Sequence, residues 1–135
     1  MDKKSLEDIA QKMVADGKGI LAADESTGTI KKRFDTIALE STEDSRRDYR
    51  EMLFRSDEAM QSAISGVILY DETIRQKAAD GTTLVSLIEQ AGSIPGIKVD
   101  TGAKDMAGHP NEKVTEGLDG LRERLEEYFE LGARF

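Results

Sequence analysis

Hydrophobic residues in this chain alternate between short uninterrupted runs and stretches with helical periodicity. Two runs, residues 19–23 and 66–70, have the length of buried strands, and each is followed directly by two acidic residues. A third candidate, residues 96–102, follows Pro95 and carries charges within it. Short apolar runs bounded by glycine and polar clusters are typical of strands buried on both faces. The pattern predicts three such strands.

Helical segments separate the runs. Residues 5–14 carry apolar positions every three or four residues, a helical stretch is expected at about 29–37, and Thr42 can cap a longer helix. Residues 84–91 predict a helix that Gly92 ends, and a final helix is expected from near Thr115 to Gly132. The charged residues of the helix after Thr42 are expected to form a solvated face: Glu43, Asp44, Arg46, Arg47, Asp48 and Arg50.

Buried strands that alternate with helices indicate parallel β/α units joined by right-handed crossovers, so the predicted fold class is α/β. A complete (β/α)₈ TIM barrel needs about 250 residues. The 135 residues are therefore expected to be an incomplete TIM barrel, its first three β/α units, forming the truncated N-terminal part of one domain over residues 1–135. Phe135 is expected to mark an interruption, because the third strand is left with an unpaired edge.

The composition narrows the range of possible functions. The chain is 38% apolar and 34% charged with a net charge of -8, which is typical of an acidic globular protein and offers no general basic surface for nucleic acid. It has no cysteine, and its one histidine, His109, cannot form a metal cluster alone. No window of 18 apolar residues and no signal-peptide core occur, so no membrane association and a cytoplasmic location are expected.

The ends of the predicted strands carry the candidate chemistry. Strand alternation puts Asp24 at the end of the column that contains Ile20 and Ala22, at the edge where β/α barrels have their active sites. As an alternative, Asp24 caps the next helix. The spacing does not decide between these two roles for Asp24.

Lys98 and Asp100 lie two apart in the third predicted strand and therefore share a side, about 7 Å apart along it. They face either solvent or a polar cavity. The cavity is favoured because the other two strands are followed by Asp24 with Glu25 and by Asp71 with Glu72, which would converge if the strands are parallel neighbours.

A small polar loop precedes the second helical stretch. It contains Ser26 and Thr29 and leads into the basic residues Lys31, Lys32 and Arg33. Hydroxyls, helix-start N–H groups and nearby cations suit a phosphate. The loop matches no Walker A or GxGxxG spacing, and a solvated basic cluster is the alternative.

Five segments together resemble class I fructose-bisphosphate aldolases in order and approximate spacing. The longest, residues 17–34, reads GKGILAADESTGTIKKRF, and the others are RRDY at 46–49, GVILYDET at 66–73, GIKVD at 96–100 and GLDGL at 117–121. The resemblance implies a (β/α)₈ barrel, normally in a homotetramer. The implied reaction is reversible cleavage of fructose 1,6-bisphosphate to dihydroxyacetone phosphate and glyceraldehyde 3-phosphate, without a metal or other cofactor.

The resemblance also implies roles for individual residues. Asp24 matches the family's active-site aspartate, Lys98 matches a lysine that contacts substrate phosphate, and Asp119 matches an aspartate at a subunit interface, with helix capping as its alternative. The polar and basic loop near a phosphate supplies four more positions: Ser26, Thr29, Lys32 and Arg33. Thr29 is commonly serine in the family, and the loop from Gly102 to Val114 departs from it.

The family forms a Schiff base between a lysine and the substrate ketone. The resemblance places that lysine on a later strand, outside these residues, so the chain alone is expected to be inactive, with Lys98 as the alternative imine former. Two other functions stay open at this point: a non-catalytic phosphosugar-binding or assembly module derived from an aldolase, and a different phosphosugar-binding β/α protein. The sequence does not decide between fructose 1,6-bisphosphate and fructose 1-phosphate.

Overall fold

The structure is a computed structural model that describes residues 3–135. Its helices and strands follow one another along the chain with these bounds: α1 Lys3–Met13, β1 Gly19–Ala23, α2 Thr27–Asp35, α3 Glu43–Phe54, α4 Asp57–Ala63, β2 Ile64–Leu69, α5 Asp71–Arg75, α6 Leu84–Gln90, β3 Ile94–Ile97, β4 Gly102–Asp105, β5 Lys113–Glu116 and α7 Leu121–Glu130. None of the helices within residues 3–135 is long and apolar enough to cross a membrane.

The first three strands form one parallel sheet in the order β1-β2-β3. Ala23 pairs with Leu69, and Leu69 pairs with Ile97, so the last residues of the three strands lie in one row across the sheet. The backbone N–H of Lys98 donates to the Leu69 carbonyl at 2.9 Å, which extends the pairing one residue further. The predicted α/β class and three parallel strands are confirmed.

One face of this sheet packs against helices and forms the core. Ala23, Val67 and Leu69 point to that face and are almost fully buried, together with Leu84 and Ile88 of α6. Residues on the other face alternate with them. Ile20 there is 45% exposed, whereas Gly66 and Gly96 are covered by the ring of Phe135. An added Cβ at position 96 would lie 2.6 Å from that ring, so a larger residue there requires the Phe135 ring to move.

The helix after Thr42 differs from its predicted solvated face. Thr42 does cap α3, accepting a hydrogen bond from the Ser45 N–H at 3.1 Å. Arg46 and Arg50, however, are buried, whereas the apolar Met52 is 59% exposed. The prediction holds for Glu43, Asp44 and Asp48, which are exposed, but it was wrong for the two arginines. An arginine side chain is buried where carboxylates and carbonyls satisfy its donors.

The region after β3 also differs from the prediction. The third strand ends at Ile97, so Lys98 and Asp100 follow the strand, and Pro95 lies inside it. The expected loop at 102–114 contains β4 and joins β5 in an antiparallel hairpin. Thr115 is therefore in a strand, and the final helix begins at Leu121. Short polar strands of this kind give no apolar signal, and Leu118, at 85% exposure, packs on no helix face.

Candidate functional site

The row of paired strand ends determines which side chains meet at the C-terminal edge of the sheet. Asp24, Tyr70 and Lys98 are the first residues after β1, β2 and β3, and the residues before them, Ala23, Leu69 and Ile97, are paired across the sheet. Because successive side chains in a strand alternate, all three point away from the helix-covered face. They line a common cavity of about 670 Å³.

The cavity is bounded by two other elements. The start of α2 contributes Ser26 and Thr29, and the base of the β4–β5 hairpin contributes the opposite wall with Gly102, Ala103 and Thr115. The hairpin is tied to the strand exit by a hydrogen bond from the Thr101 N–H to the Glu116 carbonyl at 2.9 Å. The sequence assigns no site role to Tyr70, although it lies in the GVILYDET segment, or to these three hairpin residues, because none of them carries a charge.

Lys98 is the charged centre of this cavity. Its Nζ lies 2.5 Å from a carboxylate oxygen of Asp100 and 3.9 Å from a carboxylate oxygen of Asp24. The hydrogen bond to Asp100, together with the negative charges of Asp100 and Asp24, raises the pKa of Lys98. The same hydrogen bond lowers the pKa of Asp100. Lys98 is therefore a stable cation with side-chain donors, which suits an anionic ligand better than nucleophilic attack.

Asp24 does not cap the helix that follows it. Ser26 is the N-cap of α2, and its hydroxyl accepts from the Thr29 N–H at 3.4 Å. The Ser26 and Thr29 hydroxyl oxygens lie 3.1 Å apart. The structure thus excludes the capping alternative for Asp24 and brings its carboxylate beside Lys98, as the convergent geometry predicted.

The three basic residues after this loop point in different directions. Lys31 pairs with Asp35 one turn along α2 at 2.7 Å, Lys32 is exposed, and Arg33 pairs with the Glu25 carboxylate and contacts the Tyr49 hydroxyl at 3.4 Å. Consecutive helical residues are about 100° apart, so three in a row cannot face one ligand. Of the four predicted loop residues, Ser26 and Thr29 line the cavity, whereas Lys32 and Arg33 do not.

The acidic pair after β2 does not join the site, contrary to the prediction. The Asp71 carboxylate accepts hydrogen bonds from Arg75 at 2.9 Å and from the Tyr128 hydroxyl at 2.9 Å. The pKa of Asp71 is lowered, and the hydrogen bond from Arg75 is the main cause. Glu72 accepts both bonds of a bidentate pair from Arg46, at 2.6 and 2.7 Å. These carboxylates lie on α5, whose first turn directs them toward α3 and α7 instead of continuing the strand's direction.

The charge of the cavity is balanced by residues around it. Asp24, Glu25 and Asp100 line it with one cation, Lys98, and the Glu25 carboxylate is neutralised from outside by Arg33 and Arg50. Within residues 3–135 no group of histidine and carboxylate side chains is arranged to hold a metal ion. The cavity can accept a polar anionic ligand at Lys98, but a ligand with two phosphates needs further cations.

Asp119 lies in the exposed segment before α7 and is not among the residues that line this cavity. The N-cap of α7 is Gly120, in a left-handed conformation with a φ of 62°, and no side chain caps the helix. The capping alternative for Asp119 is therefore wrong. Its carboxylate is exposed, and its expected place at a subunit interface stays a prediction.

An α/β protein with a cavity at the C-terminal edge of its parallel strands belongs to a large class of small-molecule-binding proteins. The family model described as "Glycolytic: Fructose-bisphosphate aldolase class-I" matches residues 5–135. The chain therefore belongs to the class I fructose-bisphosphate aldolase family, as the resemblance indicated.

Individual relatives agree with this family. A probable fructose-bisphosphate aldolase class 1 of Xanthomonas campestris is 57% identical over the whole chain, which spans 40% of that protein. Fructose-bisphosphate aldolase C of Carassius auratus is 53% identical over 98% of the chain and 37% of its own length. The solved fructose-bisphosphate aldolase of Plasmodium falciparum, in complex with TRAP and a small-molecule inhibitor, superposes with a TM-score of 0.90 at 51% identity. The superposition includes 98% of the present chain and 38% of the Plasmodium falciparum chain.

A first test concerns the origin of the Lys98 pKa. Asp100→Asn removes the carboxylate that contributes most to raising the pKa of Lys98, so this pKa should fall. An NMR titration of the lysine side-chain signals measures it. The control is Asp105→Asn, which breaks the 2.6 Å pair with Lys113 on the exposed hairpin and should leave Lys98 unchanged. An unchanged pKa of Lys98 in Asp100→Asn contradicts the assigned cause.

Proposed function

We propose that a full-length protein carrying this chain is a class I fructose-bisphosphate aldolase of glycolysis and gluconeogenesis. It reversibly cleaves fructose 1,6-bisphosphate to dihydroxyacetone phosphate and glyceraldehyde 3-phosphate through a lysine Schiff base. The observation that carries the proposal is the meeting of Asp24 and Lys98, 3.9 Å apart, in one cavity at the strand ends of an aldolase-family sheet.

Two residues have the central roles in this proposal. Asp24 acts next to the imine carbon, where a carboxylate can accept the proton of the reacting hydroxyl when the carbon–carbon bond breaks. Lys98 binds a substrate phosphate as a cation, which its raised pKa supports. In place of its present partner Asp100, the ammonium group can then donate to a phosphate oxygen.

The remaining predicted site residues have supporting roles. Ser26 and Thr29 offer hydroxyl donors to the phosphate from the wall of the cavity. Lys32 and Arg33 lie outside this wall and contribute positive potential near the loop, and Arg33 can reach a ligand only if it exchanges its Glu25 partner. Asp119 contributes to a subunit interface of a homotetramer, which the family resemblance implies.

The proposed parent completes the sheet as a (β/α)₈ barrel. The present chain covers 40% of the Xanthomonas campestris relative and contributes one sheet face on which Ile20 is 45% exposed. In a closed barrel that face lines the interior, where inward side chains pack in layers. The barrel would act in the cytoplasm, on a phosphorylated sugar, with no metal and no organic cofactor.

Residues 1–135 do not contain the imine-forming lysine in this proposal. The resemblance puts it on a later strand, together with an acid–base glutamate and most other phosphate contacts. Lys98 is a poor substitute because imine formation needs a neutral amine, whereas the pair with Asp100 holds it in the charged form. The charge balance of the cavity also leaves one phosphate of a bisphosphate without a cation in this part of the protein.

A second test separates the roles of the two central residues in the full-length enzyme. Asp24→Asn should lower kcat by roughly 10²- to 10⁴-fold, because it removes a proton acceptor without changing shape. Lys98→Met should mainly raise KM for fructose 1,6-bisphosphate through the loss of a charged phosphate contact. Steady-state kinetics measure both. The control Lys113→Met removes an exposed hairpin lysine and should leave both constants unchanged. Near-normal turnover of Asp24→Asn contradicts the catalytic role.

A third test asks where the imine forms. Borohydride reduction with dihydroxyacetone phosphate should attach one adduct to the full-length enzyme, and peptide mass analysis should locate it outside residues 1–135. The purified 135-residue chain should gain no adduct under the same conditions. An adduct on Lys98 would show instead that the present chain carries the nucleophile.

A further inference from the structure

Arg50, a residue for which the sequence predicted only solvent, lies directly behind the catalytic strand end. Its side chain is 1% exposed. The Nε–H donates to the Ala23 carbonyl at 3.4 Å, and an Nη2–H donates to the Glu25 carbonyl at 2.8 Å. These are the carbonyls of the two residues that flank Asp24, so one guanidinium group spans the segment that carries its carboxylate.

The position of these bonds matters because the sheet no longer holds this segment. Ala23 is the last residue of β1 that pairs with β2. Beyond it, the backbone at Asp24 and Glu25 lacks the ladder of strand hydrogen bonds that fixes residues 19–23. Arg50 replaces that ladder from α3, and the planar, rigid fork of its donors fixes two carbonyl directions at once.

Burying this charge has a cost that fold stability alone does not require. Burial lowers the pKa of Arg50, with the Glu25 carboxylate, 3.4 Å away, opposing that effect. Replacing buried ion pairs by packed apolar residues is often neutral or stabilising. A flexible or apolar side chain could fill the same volume on α3, but it could not hold the Ala23 and Glu25 carbonyls.

We propose that Arg50 is a positioning residue of the aldolase reaction, which sets the direction of the Asp24 carboxylate toward Lys98 and the substrate. The inference rests on the proposed function, because it assigns Arg50 an effect only through Asp24. Arg50 is buried and does not line the cavity, so it acts on the substrate only through the segment that it holds.

The test uses the full-length enzyme with Arg50→Lys, which keeps the charge but has no planar fork and cannot hold both carbonyls. A misplacement of about 1 Å at a reacting group costs on the order of 10²-fold in rate. We expect kcat to fall by that order, with KM within about twofold of the parent because the phosphate contacts remain. Arg50→Gln, a neutral donor, should give the same pattern and serves if the lysine variant does not fold.

The matched control is Arg47→Lys on the same helix. The ion pairs of Arg47 are with Asp44 and Asp48, which lie on its own helix. Its kcat should equal that of the parent. Thermal unfolding of every variant gives its midpoint, and kinetics are measured well below the lowest of these, so that loss of folded protein does not enter kcat.

A double-mutant cycle with Asp24→Asn distinguishes positioning from a general structural role. If Arg50 acts through Asp24, Arg50→Lys has no further effect on kcat once Asp24 is asparagine. An equal fall in both backgrounds overturns the proposal, as does a kcat of Arg50→Lys equal to that of the parent while Asp24→Asn is impaired. If Asp24→Asn itself turns over normally, the proposed function fails at Asp24, whatever Arg50→Lys does.

Discussion

The parallel register of β1, β2 and β3 is the constraint on which the site depends. Because Ala23, Leu69 and Ile97 are paired across the sheet, the residues that follow them emerge side by side at one edge. A shift of one residue in any strand would turn its side chains to the opposite face and send Asp24 or Lys98 into the helix-covered core. The apolar residues buried on that core face therefore also specify the polar residues of the cavity.

The sheet alone does not position the site, since its ladder ends where the functional residues begin. Side chains from the helices take over there. Arg50 of α3 holds the exit of β1, and Arg124 of α7 donates to the Val99 carbonyl at 3.0 Å and to the Gly117 carbonyl at 2.6 Å, beside Lys98 and Asp100. The two loops with the charged groups are thus each held from behind by a guanidinium group, in keeping with the general need for support around reactive side chains.

The sequence predicted the strands and the meeting of Asp24 with Lys98 because both follow from local patterns. Apolar runs fix strand positions, and parallel pairing then fixes where the next residues lie. It did not predict the burial of Arg50 or the hydrogen bond from Tyr128 to Asp71, since those depend on residues 27 and 57 positions away. The β4–β5 hairpin was missed for a different reason, because its strands are short, polar and exposed.

Family membership follows from residues 5–135. The chain covers 40% of the Xanthomonas campestris relative, and the activity that we propose is that of a protein of such length. The chain supplies a charged cavity that is balanced rather than cationic, and the remainder of the parent supplies the nucleophile and further cations in our account. A motif made of site residues does not identify a positioning residue such as Arg50, because Arg50 acts through backbone carbonyls.

A crystal structure of the full-length protein with bound fructose 1,6-bisphosphate tests the central claim most directly. Our account predicts one phosphate within hydrogen-bonding distance of the Lys98 Nζ, and the Asp24 carboxylate directed at the reacting carbons in the same cavity. A bisphosphate bound elsewhere, or an Asp24 carboxylate turned away from the ligand and from Lys98, would contradict it.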